Sequence, residues 1–239
     1  GTPKGVMLSN KNLLSNIYGV SRVQKDIDNE TFLSFLPLSH VLERMAGHFY
    51  PMFCNSRIYY AENMEKVAEN MSEASPTVVV SVPRFFEKMY NAVVKGIKAG
   101  STIKQKLFWW AINVGKDYVA INNSEYKIPY FLKLKHKMAD KLIYSKVKAK
   151  LGGKIKFFIS GGAPLSANVA EFFASLNVII LEGYGLTETS PVLTSNTPGT
   201  VKFGAVGKVL ENVELKLASD NEILAKGPNV MMGYYNNKE

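Results

Sequence analysis

The chain is poor in the residues on which much nucleophile and thiol chemistry depends. Its 239 residues include one cysteine, Cys54, and three histidines, His40, His48 and His136. A single cysteine rules out an internal disulfide and suits a reducing cytosol. Cys54 lies in an apolar, helix-like stretch and reads as a small core residue. The histidines form no convincing triad with the serines and acids around them. No run approaches the roughly eighteen apolar residues that a membrane helix needs. There is no internal repeat and no low-complexity tract, and no secretory signal is visible after Gly1, which is not a natural chain start. What remains is 46% hydrophobic and 21% charged, long enough to bury a large core.

Strand-like and helix-like patterns alternate along the chain. Asn10 can cap a helix running to about residue 25. Residues 32–36, 57–61, 77–81, 154–160 and 178–181 read as strands. Residues 41–53 and 64–72 read as helices, as do stretches opened by Pro83 and near Ser166. This βαβα order predicts an α/β fold, a parallel sheet flanked by helices. Beyond about residue 196 the texture changes. Short strand-like runs at 213–217, 223–226 and 230–234, separated by Asn, Asp and Gly, predict the start of a small β-rich subdomain.

The richest stretch follows the apolar run Val178-Ile179-Ile180-Leu181. It reads Glu182-Gly183-Tyr184-Gly185-Leu186-Thr187-Glu188-Thr189-Ser190-Pro191. A strand ending in a Gly-rich turn with a ring, a hydroxyl and a carboxylate suits a nucleotide. The ring can stack on a base, the hydroxyl can reach a phosphate oxygen, and the carboxylate can hold a divalent cation. The plain alternative is a strand-to-helix turn with Thr187 as its N-cap. Gly1-Thr2-Pro3-Lys4-Gly5 reads as the tail of a Gly/Thr-rich phosphate loop, or as a surface turn.

Taken together, five segments in order resemble the adenylate-forming superfamily of acyl-CoA synthetases, luciferases and peptide-synthetase adenylation domains. Gly1-Thr2-Pro3-Lys4-Gly5 resembles the end of its phosphate loop, and Leu36-Pro37-Leu38-Ser39-His40 resembles its LPLxH segment. Ser160-Gly161-Gly162-Ala163-Pro164-Leu165 resembles its adenine loop, and Gly183 to Glu188 resembles YGxTE. Glu222 to Tyr235 resembles a further block ending in GYY. Within the superfamily, Phe35 to Arg44 and Ser81 to Lys88 are similar to long-chain fatty acyl-CoA synthetases.

The resemblance implies roles. Gly1, Thr2 and Lys4 would belong to the phosphate loop. Tyr184 would stack on adenine in a pocket shaped by Gly162, Ala163, Pro164, Glu182, Gly183 and Gly185. Thr187 would bond the α-phosphate and Glu188 would ligate Mg²⁺. His40 would sit near the carboxylate or acyl-adenylate, with Val82, Phe85 and Gly161 beside the acyl chain. The implied cofactors and substrates are ATP, Mg²⁺, coenzyme A and a fatty acid, and the implied product is the acyl-CoA thioester. Residues 1–195 would be part of the large AMP-binding subdomain and 196–239 the start of the β-rich one. The N-terminal part and the small C-terminal domain would lie outside this sequence. Two alternatives stay open: an inactive remnant, and a ligase for a different carboxylic acid.

Charge is uneven. Between Arg84 and Lys156 there are 17 Lys/Arg against 4 Asp/Glu. Aromatic residues are interleaved with the lysines. Solvated helices with lysines outward account for this plainly. A peripheral contact of this cytoplasmic protein with anionic membrane is a second reading. A nucleic-acid surface is a third, but no nucleic-acid motif accompanies it, so no nucleic-acid partner is expected.

Overall fold

Runs of β-branched and aromatic residues become strands, and the amphipathic stretches between them become helices. The computed structural model describes residues 4–25, 27–124 and 126–237. Helix α1 (Asn10–Val23) begins at a reciprocal cap. The Asn12 amide donates to Ser9 Oγ (3.1 Å), and the Ser9 amide donates to Asn12 Oδ1 (2.8 Å). Strand β1 (Thr31–Ser34) follows, then a π-helical stretch, Glu43–Phe49, that runs into α2 (Tyr50–Phe53). Next come β2 (Arg57–Tyr60), α3 (Val67–Ala74), β3 (Val78–Ser81) and α4 (Pro83–Lys98), with Pro83 in the first turn.

Two long helices make up most of the basic segment. These are α5 (Thr102–Asn122) and α6 (Tyr130–Ala139), the latter extended through a second π-helical stretch, Asp140–Tyr144, into α7 (Ser145–Lys150). The chain closes with β4 (Phe157–Ser160), α8 (Ala167–Ser175), β5 (Ile179–Gly185), β6 (Val192–Ser195), β7 (Lys208–Val209), β8 (Glu214–Leu217) and β9 (Ile223–Lys226).

Seven strands form one sheet in the order β2-β1-β3-β4-β5-β6-β7. The first five are parallel; β6 and β7 are antiparallel. Parallel neighbours need crossovers, and here the crossovers cover both faces. Side chains alternate accordingly. Leu33, Val79, Phe158 and Ile180 face α3, α4, α5 and α8. Phe32, Val78, Val80 and Leu181 face α1 and residues 42–54. Phe86 meets Phe158 edge-on at 5.6 Å, and both are buried. Each such ring contributes about 1.5–3 kcal/mol by leaving water. Cys54 is buried in the second core.

The expected β-rich end is the antiparallel pair β8–β9. Two details differ from expectation. Strand β7, also beyond residue 196, is the edge of the main sheet. Residues 230–234 form no strand; Tyr234 makes only isolated bridges, to Val6 and to Asn237. Gly233, with positive φ, interrupts that run, so its alternation does not extend into a ladder.

Candidate functional site

The C-terminal ends of β1, β3, β4 and β5 lie at one edge of the sheet, the usual place for ligands in a parallel α/β fold. Strand β5 ends at Gly185, where the chain folds back sharply. A Cβ there would lie 1.7 Å from the carbonyl oxygen of Pro191, so only glycine permits the turn. The amide of Leu186 donates to Pro191 O (3.0 Å), and Thr189 Oγ1 donates to the same oxygen (2.7 Å). Between these anchors the 3₁₀ turn Thr187–Thr189 presents Thr187 to solvent and leaves Glu188 half-buried.

The turn is held from behind by residues 229–234. Asn229 is fully buried; its Nδ2 donates to Thr189 O (2.8 Å), and its own carbonyl accepts from Ser190 Oγ (2.8 Å). The Met231 amide donates to Glu188 O (2.8 Å). Tyr234 Oη donates to Glu188 Oε1 at 2.8 Å, and the carboxylate beside it holds the Tyr234 hydroxyl above its ordinary pKa. Lys4 Nζ lies 4.9 Å from the centroid of the same ring. Lys4 and Glu188, read separately from distant motifs, therefore flank one tyrosine. Gly1 and Thr2 lie outside the described residues.

Glu188 is the one carboxylate at this turn. Among the described residues no group of three or more His, Cys, Asp or Glu could cage a metal. A lone carboxylate would give a Mg²⁺ one oxygen ligand, suiting an ion whose other ligands are phosphates and water.

Next to the turn lies a cavity of about 270 Å³. His40, Thr187 and Glu188 line it where the chain is open to solvent. Met45, Ala46, Ile159 and Tyr184 form its walls, and buried Gln24 and Tyr50 line its deep end. Leu42 N donates to His40 Nδ1 (3.2 Å), which puts the ring proton on Nε2. Leu42, just before the π-helical stretch, and Met45 and Ala46 within it reach the cavity, while Glu43 does not line it. Glu43 is fully buried and accepts from Ser34 Oγ at 2.5 Å; burial pushes its carboxyl up to about 7.

Gly161, Gly162, Gly183 and Gly185 also line the cavity. Gly162, Ala163 and Pro164 form an exposed loop pinned at its end, where the Leu165 amide donates to Glu182 Oε1 (3.1 Å). Burial pushes the Glu182 carboxyl up. Val82 and Phe85 are not among the cavity's lining residues. Val82 Cγ1 lies 4.0 Å from the Cβ position of Gly162, and Phe85 packs on Phe35 (5.1 Å) in the core on the α4 face. Of the other histidines, His48 Nδ1 bonds Tyr60 Oη (2.7 Å) and His136 stacks on Tyr118 at 3.9 Å.

Sequence reasoning assigned no role to Tyr234, Asn229 or Glu43. Tyr234 and Asn229 lay within a segment singled out by resemblance, which was the signal available. Glu43 was read only as part of the stretch that carries His40.

Residues 1–235 match the family described as AMP-binding enzyme. A peroxisomal long chain acyl-CoA synthetase 7 from Arabidopsis thaliana is 32% identical over 255 residues, covering 100% of this chain and 35% of that protein. The long-chain-fatty-acid–CoA ligase FadD15 of Mycobacterium bovis is 34% identical over 242 residues, covering 100% and 40%. The chain thus spans little more than a third of the curated relatives it matches. Among solved structures, the N-terminal domain of FACL13 from Mycobacterium tuberculosis aligns with a TM-score of 0.66 at 17% identity, over 98% of this chain and 50% of that one. ATP-bound MatB from Rhodopseudomonas palustris aligns with a TM-score of 0.62 at 25% identity, over 99% and 39%.

Proposed function

Because the chain belongs to the AMP-binding enzyme family, we propose that the protein activates a long-chain fatty acid with ATP and passes the acyl group to coenzyme A. The observation that carries this reading is the apolar cavity whose open end meets the Thr187–Glu188 turn. An acyl chain laid along Met45, Ala46 and Ile159 would bring its carboxylate to that turn.

The fatty-acid carboxylate is the nucleophile in this scheme. Its oxygen bonds to the α-phosphorus and pyrophosphate leaves; the coenzyme A thiolate then bonds to the acyl carbon and AMP leaves. No protein nucleophile is needed; among the described residues lining the cavity there is no cysteine, and His40 bonds a backbone amide, not a serine. Thr187 holds the α-phosphate, Tyr184 covers the base and Lys4 offsets phosphate charge. His40, with its proton on Nε2, donates to the carboxylate or the adenylate. Mg²⁺ held by Glu188 would neutralise charge between the phosphates.

Glu188→Ala in the full-length protein tests the assignment. Fatty-acid-dependent exchange between pyrophosphate and ATP is expected to fall at least a hundredfold, roughly the loss of one strong electrostatic contact to the reacting phosphates. Exchange retained at the original rate removes the metal role. A series of acids from short to long chain, scored by AMP release, separates a long-chain ligase from one for a different carboxylic acid. Absence of exchange with every acid identifies an inactive protein.

A further inference from the structure

Helix α6 and the π-helical stretch after it carry two apolar rows. One faces inward: Ala139 and Tyr144 are buried, and Leu132 and Ile143 pack against the core that contains α5. The other is Phe131, Leu134, Met138 and Leu142, at helical spacing, and it faces water. These side chains are 75%, 48%, 52% and 37% exposed. Tyr130 extends the row at its start, and Tyr126 lies in the loop just before the helix; both are about four-fifths exposed. Single exposed apolar residues are normal on any surface; a row of five on one helix face is not.

Beside the ridge, Lys133, Lys137 and Lys141 recur every fourth residue and are exposed. On a helix this places a row of charge alongside the apolar one. From Tyr126 to Lys150 there are eight lysines and one acid, Asp140. Among the described residues none of these lysines forms an ion pair.

We propose that this face of α6 seats at the surface of an anionic lipid bilayer. Phe131, Leu134, Met138 and Leu142 enter the boundary between headgroups and acyl chains, and the lysine row lies on the anionic headgroups. Tyr126 and Tyr130 have the amphipathic rings favoured at that depth. Charge selects this occupant. A second copy would bring the same lysines, on a chain of net charge +9, against the first. No described helix is long and apolar enough to cross a membrane, so the contact lies on the surface. The inference stands apart from the reaction proposed above, since it uses none of the cavity residues.

Co-sedimentation with phosphatidylcholine vesicles, with and without phosphatidylglycerol, is the test. The protein is expected to pellet with the mixed vesicles, not with phosphatidylcholine alone, and to be released by high salt. Lys133→Gln, Lys137→Gln and Lys141→Gln together should weaken partitioning on the order of a hundredfold, about fivefold for each lysine. Phe131→Ser with Leu134→Ser should weaken it by at least about tenfold. A second readout does not depend on pelleting. Because Cys54 is buried, Leu134→Cys provides an accessible thiol for an environment-sensitive fluorophore, whose emission should shift to the blue only when anionic vesicles are added. Failure to pellet, equal pelleting of all variants, or a label already blue-shifted in a dimer without vesicles would each overturn the proposal.

Discussion

The hydroxyl of Tyr234 meets Oε1 of Glu188 at 2.8 Å across 46 residues of sequence, and the same ring lies under Lys4. One side chain thus contacts both the carboxylate and a lysine ammonium. Tyr234→Phe keeps the ring and removes only the hydroxyl. The expected outcome is a severalfold rise in KM for Mg·ATP with little change in thermal midpoint, measured by pyrophosphate exchange at varied Mg·ATP. Unchanged KM would show that Glu188 needs no such support.

Glu43 gives stability a pH dependence of defined sign. Burial raises its pKa from an ordinary 4.5 to about 7. The unfolded chain gives up this proton near the lower value, whereas the folded protein keeps it to the higher one. Stability is therefore fully present below about pH 4.5 and falls as pH rises, levelling off above about 7, by about 3 kcal/mol in all. Glu43→Gln cannot titrate. Urea denaturation at about pH 5 and about pH 8 should show wild type losing this much more stability than the variant.

Asn16 acts as a short piece of strand. Fully buried on α1, it donates through Nδ2 to Val192 O (2.6 Å) and accepts at Oδ1 from Val192 N (3.1 Å). Asn16→Leu removes both side-chain bonds to the Val192 peptide. A loss of about 2 kcal/mol is expected, because two hydrogen bonds are then lost. Equilibrium denaturation measures it, and Asn16→Ala, which admits water, should cost no more.

Gly185→Ala is expected to be severe for its size. Its methyl group would meet the Pro191 carbonyl, backbone that cannot swing aside. Overpacking of this kind costs about 3 kcal/mol. The nucleotide turn should lose its shape before the sheet does, so ATP binding, measured by calorimetry, should disappear while far-ultraviolet dichroism stays close to wild type.

Much of this was legible in the chain because it depended on local pattern. Residues 77–81 read as a buried strand, and β3 is buried throughout because it lies inside a sheet covered on both faces. The 182–191 stretch announced a turn with ring, hydroxyl and carboxylate, and the structure places Tyr184, Thr187, Glu188 and His40 around one cavity. What could not be read were partners set by distance. Residues 41–53 carry an apolar pattern that an α-helix and a π-helix satisfy equally, so the turn that buries Glu43 against Ser34 was invisible. Tyr234 looked like one more strand residue, since nothing nearby in sequence indicates that Glu188 faces it. Val82 and Phe85 rest on the resemblance alone; Phe85, in the first turn of α4, packs with that helix against the core.

Residues 5–7 pair with residues 232–235 through backbone bonds of Met7 to Gly233 and Met232 and of Gly5 to Tyr235. During synthesis this clasp closes later than the sheet, because it needs residues 232–235. Strands β1 to β5 can align first, but the Lys4–Tyr234–Glu188 constellation must wait until Tyr234 itself has emerged. Closing so long a loop carries an entropic cost that only the assembled sheet can offset. The nascent protein therefore acquires its sheet well before it acquires a site shaped for nucleotide.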